Sequence, residues 1–395
     1  MSNTLLKYVC ISTTTGITLY ITLLGLLTTA SFQAHIIYLH KIQLTWSSDL
    51  NTPEIFGFPH NQVTPFCIPT SHGEALYAWH ILPLNLYREH EASLLAEPPG
   101  FVPDITSRLA FKLLREDPEA RLVLHFHGAA GTVGSGYRPP NYRALSAAQP
   151  RKIHVLTFDY GGFGRSAGTP SERGVILDAR AVVDWAMNDA GIAPSRILVF
   201  GQSLGTAVGI AVSEHFALQS PPVVFAGMVL VAPFVDVVTL MATYRVAGTI
   251  PLVSPLARFP RLFMYLGTFV RDTWASKDRI ARYVSANEDT GEKYRITLIH
   301  AEDDWDISWQ HTPMLFWHAV NATVPAGMTY DELEEKKDER RKDLGSAGSV
   351  VEWRTENGVM REEILKYGLH DVIMSYPVIS LAVMRIFTAV DTSFK

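Results

Sequence analysis

The chain has 395 residues, of which 47% are hydrophobic and 18% are charged, and its formal net charge is −5. This length can hold one large α/β domain with additional segments, and the weakly acidic balance gives no electrostatic footprint for nucleic acid. The two cysteines, Cys10 and Cys67, do not support a disulfide framework, and the sequence has no phosphate-binding loop and no cysteine–histidine cluster with metal-ligand spacing. We therefore expect no cofactor, no metal and no nucleic-acid partner.

The N-terminal stretch from Tyr8 to Tyr38 contains no Asp, Glu, Lys or Arg. Its centre is densely apolar and long enough to span the hydrocarbon core of a bilayer. A cleaved signal peptide is the alternative, because Thr28 and Ala30 have the spacing of a small-residue cleavage site. The apolar region is longer than a signal peptide needs. We therefore interpret residues 1–41 as a retained, single-pass membrane anchor of the endoplasmic reticulum or another endomembrane.

A polar, proline-containing linker is predicted at residues 42–66, followed by one domain over residues 67–395. An early antiparallel strand is expected at 75–81. Further buried strands are predicted at 122–126, 153–158, 197–200, 228–232 and 296–300, and a helix at 175–188. Strands that alternate with helices predict an α/β fold with a mostly parallel, doubly wound sheet. In such sheets the chemistry collects at the carboxyl ends of the strands.

Two insertions interrupt this alternation. The first, at about residues 236–293, contains an aromatic and apolar stretch, and we interpret it as a cap over the site. The second, at about residues 329–349, carries a dense block of charges of both signs. Such blocks are usually solvated helices or loops, so we assign it no chemistry.

The pentapeptide Gly201-Gln202-Ser203-Leu204-Gly205 follows one of the predicted strands and precedes a helical stretch of small residues. Strand, Gly-x-Ser-x-Gly and helix together are the context of a nucleophile elbow. This turn leaves no room for side chains two residues before and after the serine, which is why glycine fits at both positions. The alternative is a glycine-rich turn in which the serine only caps a helix. The flanking pattern favours a nucleophilic Ser203.

A serine nucleophile needs a general base, and the base needs an acid that orients it. In a nucleophile-elbow fold the chain order is serine, acid, histidine. His370 follows a strand-like segment and precedes the last predicted helix, where a base carried on a loop is expected. For the acid we prefer Asp304 to Asp303 in the turn after the strand at 296–300, and Asp236 stays as an alternative.

The reaction of such a serine forms an oxyanion, which needs hydrogen-bond donors. The backbone N–H of Leu204, directly after the nucleophile, is one predicted donor. The second is expected in the loop at residues 127–131, where we assign the N–H of Ala129 and keep the neighbouring residue as an alternative. His127 is interpreted as a residue that orders this loop.

Several motifs, taken together, resemble a known family. They are His127-Gly-Ala-Ala-Gly-Thr132, Phe158-Asp-Tyr-Gly-Gly-Phe-Gly-Arg-Ser166, Gly168-Thr-Pro-Ser-Glu-Arg-Gly174, Gly201-Gln-Ser-Leu-Gly-Thr206 and His300-Ala-Glu-Asp-Asp304. The chain from about Gly73 onwards resembles the α/β-hydrolase superfamily, and more closely the membrane-anchored ABHD-type lipases. The resemblance implies hydrolysis of monoacylglycerols or lysophospholipids, lysophosphatidylserine among them. It also implies a catalytic triad of Ser203, Asp304 and His370.

The segment Trp305-Asp306-Ile307-Ser308 and the length of the charged insertion depart from the pattern of this family. These departures leave the substrate preference open.

The favoured function is hydrolysis of single-chain lipid esters at a membrane. The alternatives are a serine peptidase of aminoacyl or prolyl type and a non-catalytic, membrane-anchored scaffold. The apolar cap favours the lipid esterase, and the complete serine–acid–histidine set argues against the scaffold. The oligomeric state stays open.

Overall fold

The computed structural model describes residues 3–45, 47–70, 73–149, 151–245, 249 and 253–394. The strands are β1 Val63–Pro69, β2 Ala75–Ile81, β3 Arg121–Phe126, β4 Ile153–Phe158, β5 Ile197–Gln202, β6 Gly227–Val231, β7 Tyr294–Ala301, β8 Lys342–Asp343, β9 Ser349–Arg354 and β10 Gly358–Leu365. The helices are α1 Asn3–Leu27, α2 Ala30–Tyr38, α3 Leu84–Glu89, α4 Glu91–Leu95, α5 Leu109–Glu116, α6 Arg138–Ala148, α7 Glu172–Asn188, α8 Leu204–Ala217, α9 Val237–Thr243, α10 Pro260–Gly267, α11 Ser276–Thr290, α12 His311–Asn321, α13 Tyr330–Arg340 and α14 Pro377–Val390.

These strands form one sheet in the order β1-β2-β4-β3-β5-β6-β7-β10-β9-β8. The strands from β4 to β10 in this order pair in parallel, whereas β1 and β2 at one edge and β9 and β8 at the other pair antiparallel. The predicted mostly parallel α/β sheet is therefore confirmed. Parallel pairing places the carboxyl ends of β3, β5, β7 and β10 at one edge of the sheet, where the predicted site residues follow them.

Apolar side chains cover both faces of the sheet. On one face, helices α7, α8, α11 and α12 contribute to a large core, and on the other face α6 and α14 contribute to a second core. Strand β5 shows why both faces are filled: Val199 lies in the first core and its neighbours Leu198 and Phe200 lie in the second. A strand buried on both faces reads as a continuous apolar run, as expected for the centre of a doubly wound sheet.

The N-terminal region consists of two helices with different surroundings. Helix α1 contains a segment, Lys7–Leu27, that is long and apolar enough to cross a membrane, and none of it is buried inside the protein. Helix α2 begins three residues later and packs against the α/β domain, with Ala34 and Tyr38 buried in its core. The predicted anchor at residues 1–41 thus contains one exposed, membrane-length helix and one helix that belongs to the packed structure.

The segment predicted as a linker contributes to the core as well. Leu50 and Phe58 are buried, and the first strand begins at Val63, inside the predicted range of 42–66. The hydroxyl of Tyr77 and the indole N–H of Trp79 both donate to the carbonyl of Leu50, at 2.7 and 3.1 Å. The boundaries drawn from sequence at residues 42, 67 and 329 remain predictions about domain organisation.

The predicted cap insertion has two parts, and residues 246–248 and 250–252 within it lie outside the described residues. Helix α9 borders the predicted site, and α10 exposes several large apolar side chains. They are Phe259, Leu262, Met264, Tyr265 and Phe269, counting the flanking residues. Helix α11 instead packs against α8 and α12, so it covers the sheet and not the site.

The charged insertion forms helix α13, which begins with a capping box between Thr329 and Glu332. Most of this helix is exposed, as the charge pattern predicted, but Lys337 is buried. Its ammonium group pairs with Glu334 and Glu362, both at 2.8 Å. The insertion therefore adds a helix and the edge strand β8 to the fold.

Candidate active site

Ser203 lies in the sharp turn between β5 and α8. Its backbone angles, φ 54° and ψ −123°, are strained for a residue with a side chain. A Cβ atom at Gly201 would collide with the carbonyl of Gly205, and one at Gly205 would collide with the carbonyl of Phe126. The absence of side chains at these two positions is therefore a steric requirement of the turn, as the sequence pattern predicted.

His370 and Asp304 are joined by a hydrogen bond, in which Nδ1 of the imidazole donates to Oδ2 of the carboxylate at 2.8 Å. The same oxygen lies 3.1 Å from Nε2 of His300. The other oxygen of Asp304 accepts hydrogen bonds from the backbone N–H groups of Asp306 and Ile307, each at 2.9 Å. Both oxygens of the carboxylate are thus held by hydrogen bonds. The bond to Asp304 occupies Nδ1 of His370, so Nε2 is the imidazole nitrogen that this bond leaves unused.

The other two candidate acids lie in different environments. Asp303 accepts a hydrogen bond from the backbone N–H of Leu369 at 2.9 Å, so it holds the loop that carries His370. Asp236 caps α9 through the N–H of Thr239 and pairs with Lys277 at 2.7 Å. Of the three acids considered from sequence, the structure places Asp304 against His370.

The protonation of this pair follows from its surroundings. Burial alone would raise the pKa of Asp304, but hydrogen bonds from His300 and His370 lower the pKa of its carboxyl group well below the usual range. Burial alone would lower the pKa of His370, but the hydrogen bond and charge of Asp304, together with the charges of Asp371 and Asp306, raise this pKa to about 9. The acid is therefore ionised and the imidazole is strongly basic.

The loop after β3, residues 127–132, is called the β3 loop below. The N–H of Ala130 donates to the carbonyl of Tyr38 at 2.8 Å, and the N–H of Gly131 donates to the carbonyl of Ile42 at 2.7 Å. Within the part of the chain that the structure describes, the N–H of Ala129 has no hydrogen-bond partner. Of the two residues considered from sequence, the N–H of Ala129 is thus the available donor. Leu204 opens α8, where a helix leaves its first N–H groups without internal acceptors.

His127 is fully buried at the start of the β3 loop, and its Nδ1 lies 2.8 Å from the carbonyl of Gly128. Its ring contacts the rings of Tyr160 and Phe163. Burial holds the pKa of His127 well below its usual range. These contacts are those of a neutral residue that orders the loop, as predicted from sequence.

Ser203, Leu204, Ala129 and His370 line one cavity of about 400 Å³. No hydrogen bond joins Ser203 to His370 among the described residues, and such bonds often form only when substrate binds. A smaller apolar cavity of about 90 Å³ adjoins it and extends to the end of α1. The side chains that line both cavities are those of Ile36, Ile37, Val237, Met241 and Tyr244. A larger cavity of about 830 Å³, between α12, α13 and β10, contains none of the predicted site residues.

Asp304, Asp306 and His370 have the spacing of a cation site, because one ligand atom of each lies within 4.8 Å of the others. Both oxygens of Asp304 already accept hydrogen bonds, and Nδ1 of His370 donates one of them. Hydrogen bonding therefore accounts for the arrangement of this cluster.

Sequence reasoning did not find Arg138, which lies at the start of α6 and borders the cavity. Its guanidinium group donates to four carbonyl oxygens of the β3 loop, at 2.6 to 3.2 Å. These belong to Gly128, Ala129, Ala130 and Thr132. Because the carbonyls face Arg138, the N–H groups of the loop are turned the other way. An arginine several residues after a glycine-rich loop gives no sequence signal for this role.

Comparison with known proteins gives a consistent result. A model of the alpha/beta hydrolase family matches residues 122–355, which is more than half of the chain. The lysophosphatidylserine lipase ABHD12 of Danio rerio is 27% identical over 284 residues, a match that covers 71% of this chain and 64% of that protein. The protein of the same name from Gallus gallus is 26% identical over 284 residues, covering 69% and 63%.

The chain thus spans less than two thirds of the length of these two relatives. Among solved structures, an alpha-beta hydrolase from Vibrio vulnificus superposes with a TM-score of 0.50 at 15% identity, over 92% of each chain. This likeness shows the fold.

Proposed function

Because this chain belongs to the alpha/beta hydrolase family, we propose that it is a serine hydrolase that cleaves carboxylic esters of single-chain lipids. The observation that carries this proposal is the hydrogen bond that Asp304 accepts from His370, which lines the same cavity as the strained Ser203. The family resemblance found from the motifs agrees with the matched family and with relatives named as lysophosphatidylserine lipases.

In the proposed reaction, Oγ of Ser203 attacks the carbonyl carbon of the ester, and Nε2 of His370 accepts the hydroxyl proton. The carbonyl oxygen becomes an oxyanion that accepts hydrogen bonds from the N–H groups of Leu204 and Ala129. The intermediate then collapses, the bond to the leaving alcohol breaks, and His370 donates its proton to that alcohol. Asp304 keeps the imidazole in the correct tautomer and stabilises its positive charge.

The acyl-enzyme on Ser203 is hydrolysed by the same steps. A water molecule attacks the acyl carbon while His370 accepts one of its protons. Collapse of the second tetrahedral intermediate releases the fatty acid and returns the proton to Ser203. No redox step and no group other than water is required.

The substrate class is supported by the position of the smaller cavity. Its lining combines the end of α1, through Leu24 and Leu27, with Leu266 in the last turn of α10 and Val270 just after this helix. An acyl chain that leaves a bilayer beside α1 would enter this cavity and reach Ser203 through the adjoining cavity of about 400 Å³. We propose this route for the acyl chain, with the polar head group left near solvent, and we propose an endomembrane such as the endoplasmic reticulum as the location.

The route predicts that kcat/KM rises from short to long monoacyl esters, because each buried methylene contributes about 0.8 kcal/mol. The variant Leu266→Asp places a charge in the smaller cavity and should lower kcat/KM for a long-chain ester by about 10-fold or more, since burial of a leucine contributes about 1.5–3 kcal/mol. Activity on a short soluble ester should stay unchanged. Both esters are to be assayed on detergent-dispersed full-length protein.

The matched control is Leu262→Asp, which makes the same change on the same helix at a side chain that is 45% exposed and lines neither cavity. It should leave the preference for long chains intact. Equal loss on both esters for Leu266→Asp would mean that this residue only supports the fold. Cleavage of aminoacyl amides in preference to every lipid ester would instead favour the peptidase.

The raised pKa of His370, about 9, predicts the pH dependence of the reaction. His370 must be neutral to accept the serine proton, and a raised pKa keeps it protonated at neutral pH. We therefore expect kcat/KM to rise by about tenfold per pH unit below this pKa and to level off above it. Asp304 stays ionised throughout, because its pKa is lowered.

The variant Asp371→Asn removes one of the charges that raise this pKa, so the midpoint of the profile should move to lower pH. Asp331→Asn, an exposed change in the first turn of α13, alters net charge equally and should leave the midpoint unchanged. A profile that is flat between pH values of about 6 and 9, or one that shifts equally in both variants, would contradict a basic His370 tuned by its neighbours.

A further inference from the structure

The segment that follows the membrane-length helix, residues 30–44, is called the juxtamembrane segment below. It contains α2 and the turn after it, and it lies against the β3 loop. Its backbone carbonyls at Tyr38 and Ile42 accept the N–H groups of Ala130 and Gly131, at 2.8 and 2.7 Å. Side chains of the same segment, Ile36, Ile37, Leu39 and Leu44, line the catalytic cavity. The segment therefore forms one wall of the proposed active site.

The β3 loop needs external support at this point. Ala130 has φ 58°, a left-handed conformation that costs free energy in any residue with a side chain. Such a conformation persists only where the surroundings over-determine it. The N–H of Ala130 donates to the carbonyl of Tyr38, and the guanidinium group of Arg138 donates to the carbonyl of Ala130 at 2.7 Å. Ala130 is thus held from two sides, which fixes the peptide unit that follows Ala129. The peptide unit that carries the N–H of Ala129 is held by Arg138, which donates to the carbonyl of Gly128 at 3.0 Å.

The juxtamembrane segment is in turn fixed by Tyr38, which is fully buried. The hydroxyl of Tyr38 donates to Oδ2 of Asp272 at 2.7 Å and accepts a hydrogen bond from the indole N–H of Trp274 at 3.2 Å. Asp272 and Trp274 lie in the connection between α10 and α11. The tyrosine ring also contacts the rings of Phe163 and Trp274 edge-on.

A second contact ties the segment to the end of the membrane-length helix and to α10. The side-chain amide of Gln33 donates to the carbonyls of Leu27 and Phe269, at 2.8 and 2.7 Å. Its oxygen accepts the backbone N–H of Arg271 at 3.0 Å. One short segment thus contacts the membrane-length helix, the region that borders the acyl route and the loop that carries Ala129.

We propose that the juxtamembrane segment positions the oxyanion donors, with Tyr38 as its positioning residue. The inference rests on the proposed function, because it concerns the donor at Ala129 in that reaction. Tyr38 fixes the backbone of the segment, and the segment holds the peptide unit after Ala129 while Arg138 holds the one before it. The N–H of Ala129, between these two fixed units, is thereby left facing the cavity. The membrane-proximal part of the chain is therefore a part of the catalytic structure.

The test is Tyr38→Phe in the full-length, detergent-dispersed protein, which keeps the ring and removes the hydroxyl. On a short soluble ester, kcat should fall by about 10-fold while KM stays within about twofold, because the donors act mainly in the transition state. The inhibition constant of a trifluoromethyl ketone should rise by the same factor as kcat falls, since its adduct with Ser203 places an oxyanion between these donors. A purely structural role of Tyr38 would not link these two quantities.

The matched control is Tyr294→Phe. Tyr294 is also buried, and its hydroxyl donates to Glu288 at 2.7 Å, at the opposite end of β7 from Asp304. It should lower the melting temperature in the same way as Tyr38→Phe but leave kcat and the ketone inhibition unchanged. Asp272→Ala removes the acceptor of the Tyr38 hydroxyl, so it should reproduce the loss of kcat, and the double variant should lose no more than either single one.

Equal kcat and ketone inhibition in Tyr38→Phe and Tyr294→Phe, with Ser203→Ala inactive, would overturn this inference and leave the proposed function in place. Substantial turnover by Ser203→Ala would overturn the proposed function and this inference with it. If Tyr38→Phe proves too unstable to assay, Asp272→Ala carries the same comparison.

Discussion

Replacement of Ser203 by alanine is expected to lower kcat for ester hydrolysis by several orders of magnitude, on the order of 10⁶-fold, and to abolish covalent labelling by a fluorophosphonate. The reason is that, in the proposed reaction, Oγ of Ser203 supplies the electrons for the bond to the acyl carbon, and alanine has no such atom. The fold should stay intact, because this side chain makes no capping hydrogen bond to α8. Turnover of a soluble ester and gel-based labelling measure the two effects.

A matched control lies on the same helix. Ser213 is buried in α8, and the structure gives its hydroxyl no hydrogen-bond partner among the described residues. Ser213→Ala should therefore keep full activity and labelling. Undiminished labelling of Ser203→Ala would show that the nucleophile lies elsewhere and that the turn at Ser203 serves only the fold.

The second large effect is expected for Asp304→Asn, which should lower kcat by about 10⁴-fold with little change in KM. One oxygen of Asp304 accepts two backbone N–H groups, so the asparagine would keep its oxygen there. Its amide NH₂ would then face Nδ1 of His370 as a donor. Donation to Nδ1 places the imidazole proton on Nε2, and this tautomer cannot accept the proton of Ser203. Steady-state kinetics on a soluble ester measure this loss.

The controls are the two acids that sequence reasoning weighed against Asp304. Asp303→Asn can still accept the N–H of Leu369, and Asp236→Asn can still accept the N–H of Thr239, so both should retain much more activity. Greater damage from Asp236→Asn than from Asp304→Asn would mean that the acid is provided by the strand before β7. It would also mean that the hydrogen bond between His370 and Asp304 is not the functional one.

Much of the candidate site could be predicted because it depends on local steric rules. The sharp turn between a buried strand and a helix of small residues leaves no room for side chains two positions before and after the serine. Glycine at both positions therefore indicates this turn in the sequence. The sequence from Gly201 to Gly205 therefore predicted both the turn and the residue it exposes. The same is true of the central strands, whose uninterrupted apolar runs are typical of strands covered on both faces.

For the acid, the sequence favoured Asp304 over the adjacent Asp303 and kept Asp236 as an alternative. Only the tertiary structure shows which of these carboxylates lies against His370, which is more than sixty residues further along the chain. Strands β7 and β10 pair in parallel, with Ala301 opposite Leu365, so the turns that follow them lie side by side. Within that arrangement the backbone N–H groups of Asp306 and Ile307 turn Asp304 inward, while Asp303 binds the N–H of Leu369.

The N-terminal region shows most clearly what could be predicted from sequence and what depended on tertiary structure. The sequence by itself determined that residues 8–38 contain no Asp, Glu, Lys or Arg and have a densely apolar centre, and it therefore predicted one membrane anchor at residues 1–41. Only the tertiary structure decided that no part of Lys7–Leu27 in α1 is buried inside the protein, whereas Ala34 and Tyr38 in α2 are buried against the α/β domain and the carbonyl of Tyr38 holds the β3 loop. The physical reason is that lipid and protein interior both remove an apolar side chain from water, so hydropathy cannot tell a residue that faces a bilayer from one that lines an active site.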